Sequence, residues 1–172
     1  MRDGFRWVWI DSCCIDKTSS AELSEAINSM FIWYRDTVVC YAFLPDVAST
    51  TNFEEKERES FEFRKSKWFT RGWTLQELLA LENLVFFDQE WTNIGTKTSL
   101  EPHLSSVTGI GDFMSFRASG RETTQIEDRA CSLMGLFGVN MPPLYGEGRN
   151  AFVRLQLEIL RSSDEVDSYL LC

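Results

Sequence analysis

Three short runs of the chain are apolar at every position, whereas the longer segments around them are apolar only at helical intervals. Trp7-Val8-Trp9-Ile10 is aromatic and β-branched, is closed by Asp11-Ser12, and predicts a buried strand. Val38 to Leu44, stopped by Pro45, and Leu84 to Asp88 predict two more. Between the first two, Leu23, Ala26, Ile27, Met30, Phe31 and Tyr34 recur at helical spacing and predict a helix over Ala21–Tyr34. Ser19 stands three residues before Glu22, the pattern of a capping box. Glu22 and Glu25 near one end and Arg35 near the other complement the helix dipole.

Trp73 to Leu79 predicts a second helix, with Leu75, Leu78 and Leu79 as its buried stripe. The resulting β-α-β-α-β order predicts an α/β domain, a parallel sheet flanked by helices, with the first helix crossing between the first two strands. Ligands of such sheets gather beyond the carboxyl ends of the strands. Asp11, Ser12, Asp88 and the loop Cys14 to Lys17 are expected there.

Beyond Trp91 the chain reads as mostly helical. A short helix is expected over Thr98–Val107 and a longer one over Thr123–Phe137, with Gly138 as its stop. Pro142 to Gly148 reads as a rigid, turn-rich connector, after which Asn150 caps a final helix. Residues 163–172 form a polar tail. The charge run Glu54-Glu55-Lys56-Glu57-Arg58-Glu59 reads as a solvated loop without chemistry.

Composition narrows the function classes. At 172 residues and 44% hydrophobic, the chain has about one domain's length and enough apolar content for a core. A net charge of −9 and a pI near 4.7 argue against a nucleic-acid or anionic-membrane surface. No signal-peptide pattern is present and no apolar run approaches the roughly 18 residues of a membrane span, so a soluble, cytoplasmic chain is expected. A single histidine, His103, and no CxxC spacing leave no metal pattern. Cys40 and Cys131, in apolar runs, read as buried thiols; the adjacent Cys13-Cys14 read as small residues at a tight turn, since no histidine lies near them in sequence.

Glu77 is the strongest candidate for a tuned acid. In Trp73-Thr74-Leu75-Gln76-Glu77-Leu78-Leu79 it lies one helical turn from Trp73 and among leucines. Desolvation there disfavours the ionised carboxylate and raises its pKa, which suits acid–base or cation-stabilising work.

Four ordered blocks resemble the fungal heterokaryon incompatibility (HET) domain. They are Val8 to Lys17, Trp68 to Leu79, Asp128 to Gly135, and Pro143 to Gly148. The resemblance implies a HET-like domain over residues 1–162, acting in fungal non-self recognition and regulated cell death. HET domains are in turn regarded as distant relatives of the TIR domain, whose sheet is flavodoxin-like. Trp73-Thr74-Leu75-Gln76-Glu77-Leu78 is similar to the Trp-Cys-x-x-Glu-Leu helix of that family, with Thr74 in place of Cys. That likeness implies NAD as a substrate rather than a bound cofactor, with Glu77 supporting cleavage at the nicotinamide–ribose bond. Trp73, Asp11, Ser12 and Arg71 are the candidate ligand contacts. Ordinary packing for Trp73, turn capping for Asp11 and surface pairing for Arg71 are the competing readings.

The chain departs from the family pattern at its start. The family's first strand and its Ser-x-x-Trp-Gly-like block are absent, which implies an N-terminally truncated domain. That strand would lie between Trp7–Ile10 and Val38–Leu44, so the chain alone is expected to be marginally stable and to turn over little or no NAD. Leu81 and Cys131 replace a common Pro and a common aromatic residue. A non-catalytic module that works by self-association or by binding an upstream receptor is the alternative, as is an inactive fragment.

Overall fold

The computed structural model describes residues 4–49, 62–108 and 121–162. The charge run at Glu54–Glu59 and the polar tail lie outside these residues.

The secure elements begin where local chemistry is strongest. Helix α2 (Ser20–Arg35) follows a one-turn helix, α1 (Asp11–Cys14). Ser19 Oγ accepts from the Glu22 amide at 3.3 Å, and the Glu22 carboxylate reaches back to the Asp16 amide at 2.8 Å. This is a capping box stretched by three residues, since the returning glutamate closes on Asp16 rather than on Ser19.

Strand β1 (Cys40–Phe43) pairs in parallel with β2 (Leu84–Phe87), Cys40 opposite Leu84 and Phe43 opposite Phe87. Strand β3 (Asn93–Thr96) adds antiparallel to β2, giving the order β1-β2-β3. The fold is α/β, a three-stranded mixed sheet flanked by helices. The hairpin between β2 and β3 is built on Asp88. Its buried carboxylate accepts from the Glu90 and Thr92 amides at 2.9 and 2.8 Å and from the Ser49 hydroxyl at 2.5 Å. Asp88 is therefore a turn-forming residue, not the ligand contact expected at a strand end.

A 3-10 turn (Lys67–Thr70) and helix α3 (Thr74–Ala80) fill the connection from β1 to β2. Helix α4 (Glu101–Thr108) follows β3, and α5 (Asp128–Phe137) and α6 (Asn150–Ser162) close the described chain. Helix α3 is shared by two cores. Leu78 joins Ala42, Leu44, Phe63, Trp68, Leu84 and Phe86 against the sheet. Leu75 joins Ile27, Ala130, Met134, Ala151 and Leu155 among the helices. Between those two leucines, Gln76 is fully buried and its Nε2 donates to the Ser132 carbonyl at 3.0 Å.

The run Trp7–Ile10 is not a strand. It lies outside the sheet with Trp7 91% and Val8 66% exposed, and Trp9 packs edge-on against Trp33 and Tyr34 of α2, ring centroids 5.3 and 5.7 Å apart. Four apolar residues carry no periodicity that separates a strand from an aromatic clasp on a helix. The parallel pair is consequently β1 and β2, bridged by α3, rather than Trp7–Ile10 and Val38–Leu44 bridged by α2, and the expectation of a marginal, inactive chain loses its premise, a missing strand between those two runs. Asp11 and Ser12 are placed by a helical turn and not by a strand end. Helix α5 also starts five residues later than its expected start at Thr123, while Gly138 takes the left-handed conformation (φ +65°) that ends it, as expected.

The connector before α6 is clamped to the start of α5. The Glu127 carboxylate accepts from the Gly146 and Gly148 amides at 2.8 and 2.9 Å, which holds its pKa below the ordinary glutamate value. The Tyr145 hydroxyl donates to Asp128 at 3.0 Å, and Arg154 pairs with Glu147. Replacing Glu127 by alanine is expected to strip the Gly146 and Gly148 amides of their hydrogen-exchange protection. In the unaltered protein the same protection should fade as pH falls through the depressed Glu127 pKa, because that stabilisation exists only while the carboxylate is ionised. Exchange of those two amides unchanged by Glu127→Ala would mean that the loop is held by Tyr145 and Arg154 alone.

Candidate functional site

Glu77 sits half-buried in the middle of α3, where four other elements converge on it. The Tyr34 hydroxyl, from the last turn of α2, donates to Glu77 Oε1 at 3.4 Å. Trp68, from the 3-10 turn, lies close enough to lower the Glu77 pKa. Burial and then the negative charge of Asp11 raise the Glu77 pKa, which comes to about 7 against the opposing effects of Tyr34, Arg71 and Trp68. Near neutral pH the carboxyl group is therefore divided between acid and base forms, the condition under which one group can give or take a proton.

The surrounding titrations report the same burial. The Tyr34 phenol is driven well above its ordinary range by burial and then by the charge of Glu77. Burial and the same charge push the Cys40 thiol up to about 12. Arg121, itself buried, is lowered to about 10 by burial and partly restored by Glu77. Its Nη1 donates to the Arg71 carbonyl at 2.9 Å and to Thr74 Oγ1 at 3.2 Å, so it braces the start of α3.

Of the residues expected at a site, Glu77, Asp11 and Arg71 are brought into one electrostatic neighbourhood. Ser12 is exposed on the α1 turn and takes no part in the Glu77 titration. Trp73 faces elsewhere. Its ring packs with both helical clusters and lies near Asp128, whose pKa burial raises. Tyr34, Trp68, Cys40 and Arg121 were not expected. Tyr34 and Trp68 read as ordinary apolar positions, and Arg121 stands in no motif. Nothing in a linear pattern shows that these residues meet at α3.

Among the described residues no group of three His, Cys, Asp or Glu side chains is arranged to hold a metal ion. A cavity of about 580 Å³ lies beside Leu78, Leu79, Glu82, Lys97 and Leu104, but Glu77 does not line it. Its cation is already engaged, since Lys97 Nζ donates to the Leu81 carbonyl at 2.6 Å. Among the described residues no helix is long and apolar enough to cross a membrane.

The sequence blocks that carry the family resemblance thus meet in space. The segment from Trp68 to Leu79 holds Glu77, Gln76 ties it to Ser132, and Tyr145 and Gly146 close on Asp128 and Glu127. A family model described as heterokaryon incompatibility protein (HET) matches residues 1–56. The chain is 45% identical over 175 residues to the vegetative incompatibility protein HET-E-1 of Podospora anserina, an alignment covering 92% of this chain and 13% of that protein. The chain therefore spans a small part of the length of the curated relative it matches. No solved structure matches it. These blocks, the family match and the 45% identity agree: the chain belongs to the fungal heterokaryon incompatibility (HET) family.

Proposed function

We propose that this chain is the effector part of a fungal non-self recognition system, and that it promotes regulated cell death by cleaving NAD at the nicotinamide–ribose bond. The observation that carries the reading is Glu77, a half-buried carboxyl group raised to about 7 that accepts from the Tyr34 hydroxyl. Bond cleavage at a ribose C1′ develops positive charge on the sugar, and a carboxylate placed there stabilises it or orients the attacking water. Tyr34 fixes the carboxylate's orientation. Asp11 and Arg71 adjust its charge, and Arg71 supplies a cation for the phosphates. Ser12, exposed on the α1 turn, stands as a ribose contact, whereas Trp73, packed among the helices, does not reach the site.

The test is NAD turnover by the purified chain with Glu77→Ala as the control, beside cell death on expression in a fungal host. Turnover and death both lost in a folded Glu77→Ala protein support the reading. Death that persists without Glu77 overturns it in favour of the second reading, a module that works by self-association or by docking to a receptor. A specific feature favours that alternative. Trp7, Val8 and Ile10 are exposed together, and among the described residues β1 stands at the edge of the sheet.

A further inference from the structure

Two thiols share the α1 turn with Asp11 and have no part in the mechanism above. Cys13 and Cys14 are both exposed, their Sγ atoms are 4.0 Å apart, and they form the end of the one-turn helix α1. That turn is lightly held. It buries none of its residues, has no side-chain cap, and hangs on the Ile10 carbonyl, which accepts from the Cys13 and Cys14 amides at 3.2 and 2.8 Å. The Cys13 thiol is raised by its bond with Cys14, while Cys40 and Cys131 sit half-buried and buried, with thiols pushed up to about 12. Among the described residues the adjacent pair is the thiol chemistry that solvent can reach.

We propose that Cys13 and Cys14 form a thiol–disulfide switch, oxidised by a low-molecular-weight disulfide, whose closure opens the Asp11–Cys14 turn and takes Asp11 away from Glu77. The exchange balances in two steps. One cysteine thiolate attacks the reagent and expels a thiolate, forming a mixed disulfide; the neighbouring thiolate then attacks the protein-side sulphur and expels the second. Two electrons and two protons pass from the pair to two small-molecule thiols.

A disulfide needs sulphurs about 2.05 Å apart and Cα atoms usually at least ~4.4 Å apart, whereas adjacent Cα atoms are about 3.8 Å apart in any trans backbone. Drawing the sulphurs in from 4.0 Å therefore strains the ring, and the strain falls on a four-residue turn held by two amides on one carbonyl. Being strained and exposed, it is also readily reduced again, which a switch requires. Asp11 is the first residue of the same turn, and its charge acts on both Glu77 and Tyr34. The regulatory consequence rests on Glu77 being the working carboxylate proposed above; the sulphur chemistry does not.

Trypsin cleavage after Arg6 and Lys17 releases a peptide, Trp7 to Lys17, that holds this pair and no other cysteine. After the folded chain is incubated with oxidised glutathione, that peptide should be lighter by two hydrogen atoms. The Glu77 carboxyl titration, followed by NMR, should move down from about 7 by roughly half to one unit. With Cys13→Ser the peptide should instead carry one glutathione, and the titration should stay in place. Recovery of the peptide as free dithiol or with glutathione on both sulphurs would overturn the switch. A disulfide that forms without moving the Glu77 midpoint would overturn its coupling to the site. None of these readouts uses NAD, so a failure of the catalytic reading would show separately in the Glu77→Ala turnover assay.

Discussion

Gly135→Ala is expected to destabilise the protein by roughly 2–4 kcal/mol, although alanine is the better helix former by about 1 kcal/mol. Gly135 lies inside α5 where that helix meets α2. A methyl group there would stand 2.2 Å from Phe31 Cβ and 2.7 Å from Phe31 Cγ. The nearer atom is the root of a helical side chain and cannot rotate away, so α2 and α5 must move apart. The interface they share holds Ile27 and Met134, and separation there opens a void in the helical core. Two companion variants fix the cause. Phe31→Ala leaves the 2.2 Å contact in place and should not rescue Gly135→Ala. Gly138→Ala meets no atom within 4 Å and carries only the cost of a left-handed residue at φ +65°, about 1–2 kcal/mol. Urea denaturation that ranked Gly138→Ala as the more damaging of the two would refute this account of the α2–α5 contact.

Much of the fold was legible because it rests on local signals. Ser19 and Glu22 announced α2 through capping chemistry, the β-branched runs at Val38 and Leu84 announced the two parallel strands, and Gly138 announced the end of α5. The reading of Trp7–Ile10 as a strand failed for a reason that is not local. A four-residue apolar run becomes a strand only if a sheet edge receives it, and here Trp33 and Tyr34 of α2 offered the aromatic contact instead. Strand β3 was missed because Asn93-Ile94-Gly95-Thr96 has little β propensity. It exists because Asp88 and Trp91, the latter at φ +58°, turn the chain back onto β2.

The site divides along the same line. Glu77 could be singled out because a lone carboxylate among tryptophan and leucines is chemically odd wherever it occurs. Its partners could not. Tyr34 donates to it from more than forty positions away, and Arg121 braces its helix from a similar distance on the other side. Such contacts are decided by tertiary packing, which periodicity does not encode. Trp73 illustrates the converse. One turn from Glu77 in sequence, it points into the helical core and toward Asp128, because a helix start buries its flanks on different neighbours.

Glu77→Gln should separate what the carboxylate does for function from what it does to stability. The folded pKa of Glu77, about 7, lies above the ordinary glutamate value of 4.5, so the fold favours the protonated form. Its contribution is fully present below pH 4.5 and is lost as pH rises through 7, a swing of roughly 3 kcal/mol across that window. Glutamine keeps the oxygen that accepts from Tyr34 and carries no charge. The variant should therefore match the parent near pH 4 and exceed its stability at pH 8, by up to roughly 3 kcal/mol, while losing about 10²–10⁴-fold in NAD turnover. Urea titrations of both proteins at pH 4, 6 and 8, with turnover at pH 7.5, provide the measurement. A variant no more stable than the parent at pH 8 would show that Glu77 is solvated and titrates as an ordinary surface glutamate. A variant stabilised at pH 8 but equally active would leave a desolvated carboxylate with no catalytic duty, and the proposed death-promoting role would pass to the exposed Trp7–Ile10 segment and to β1, the edge of the sheet among the described residues.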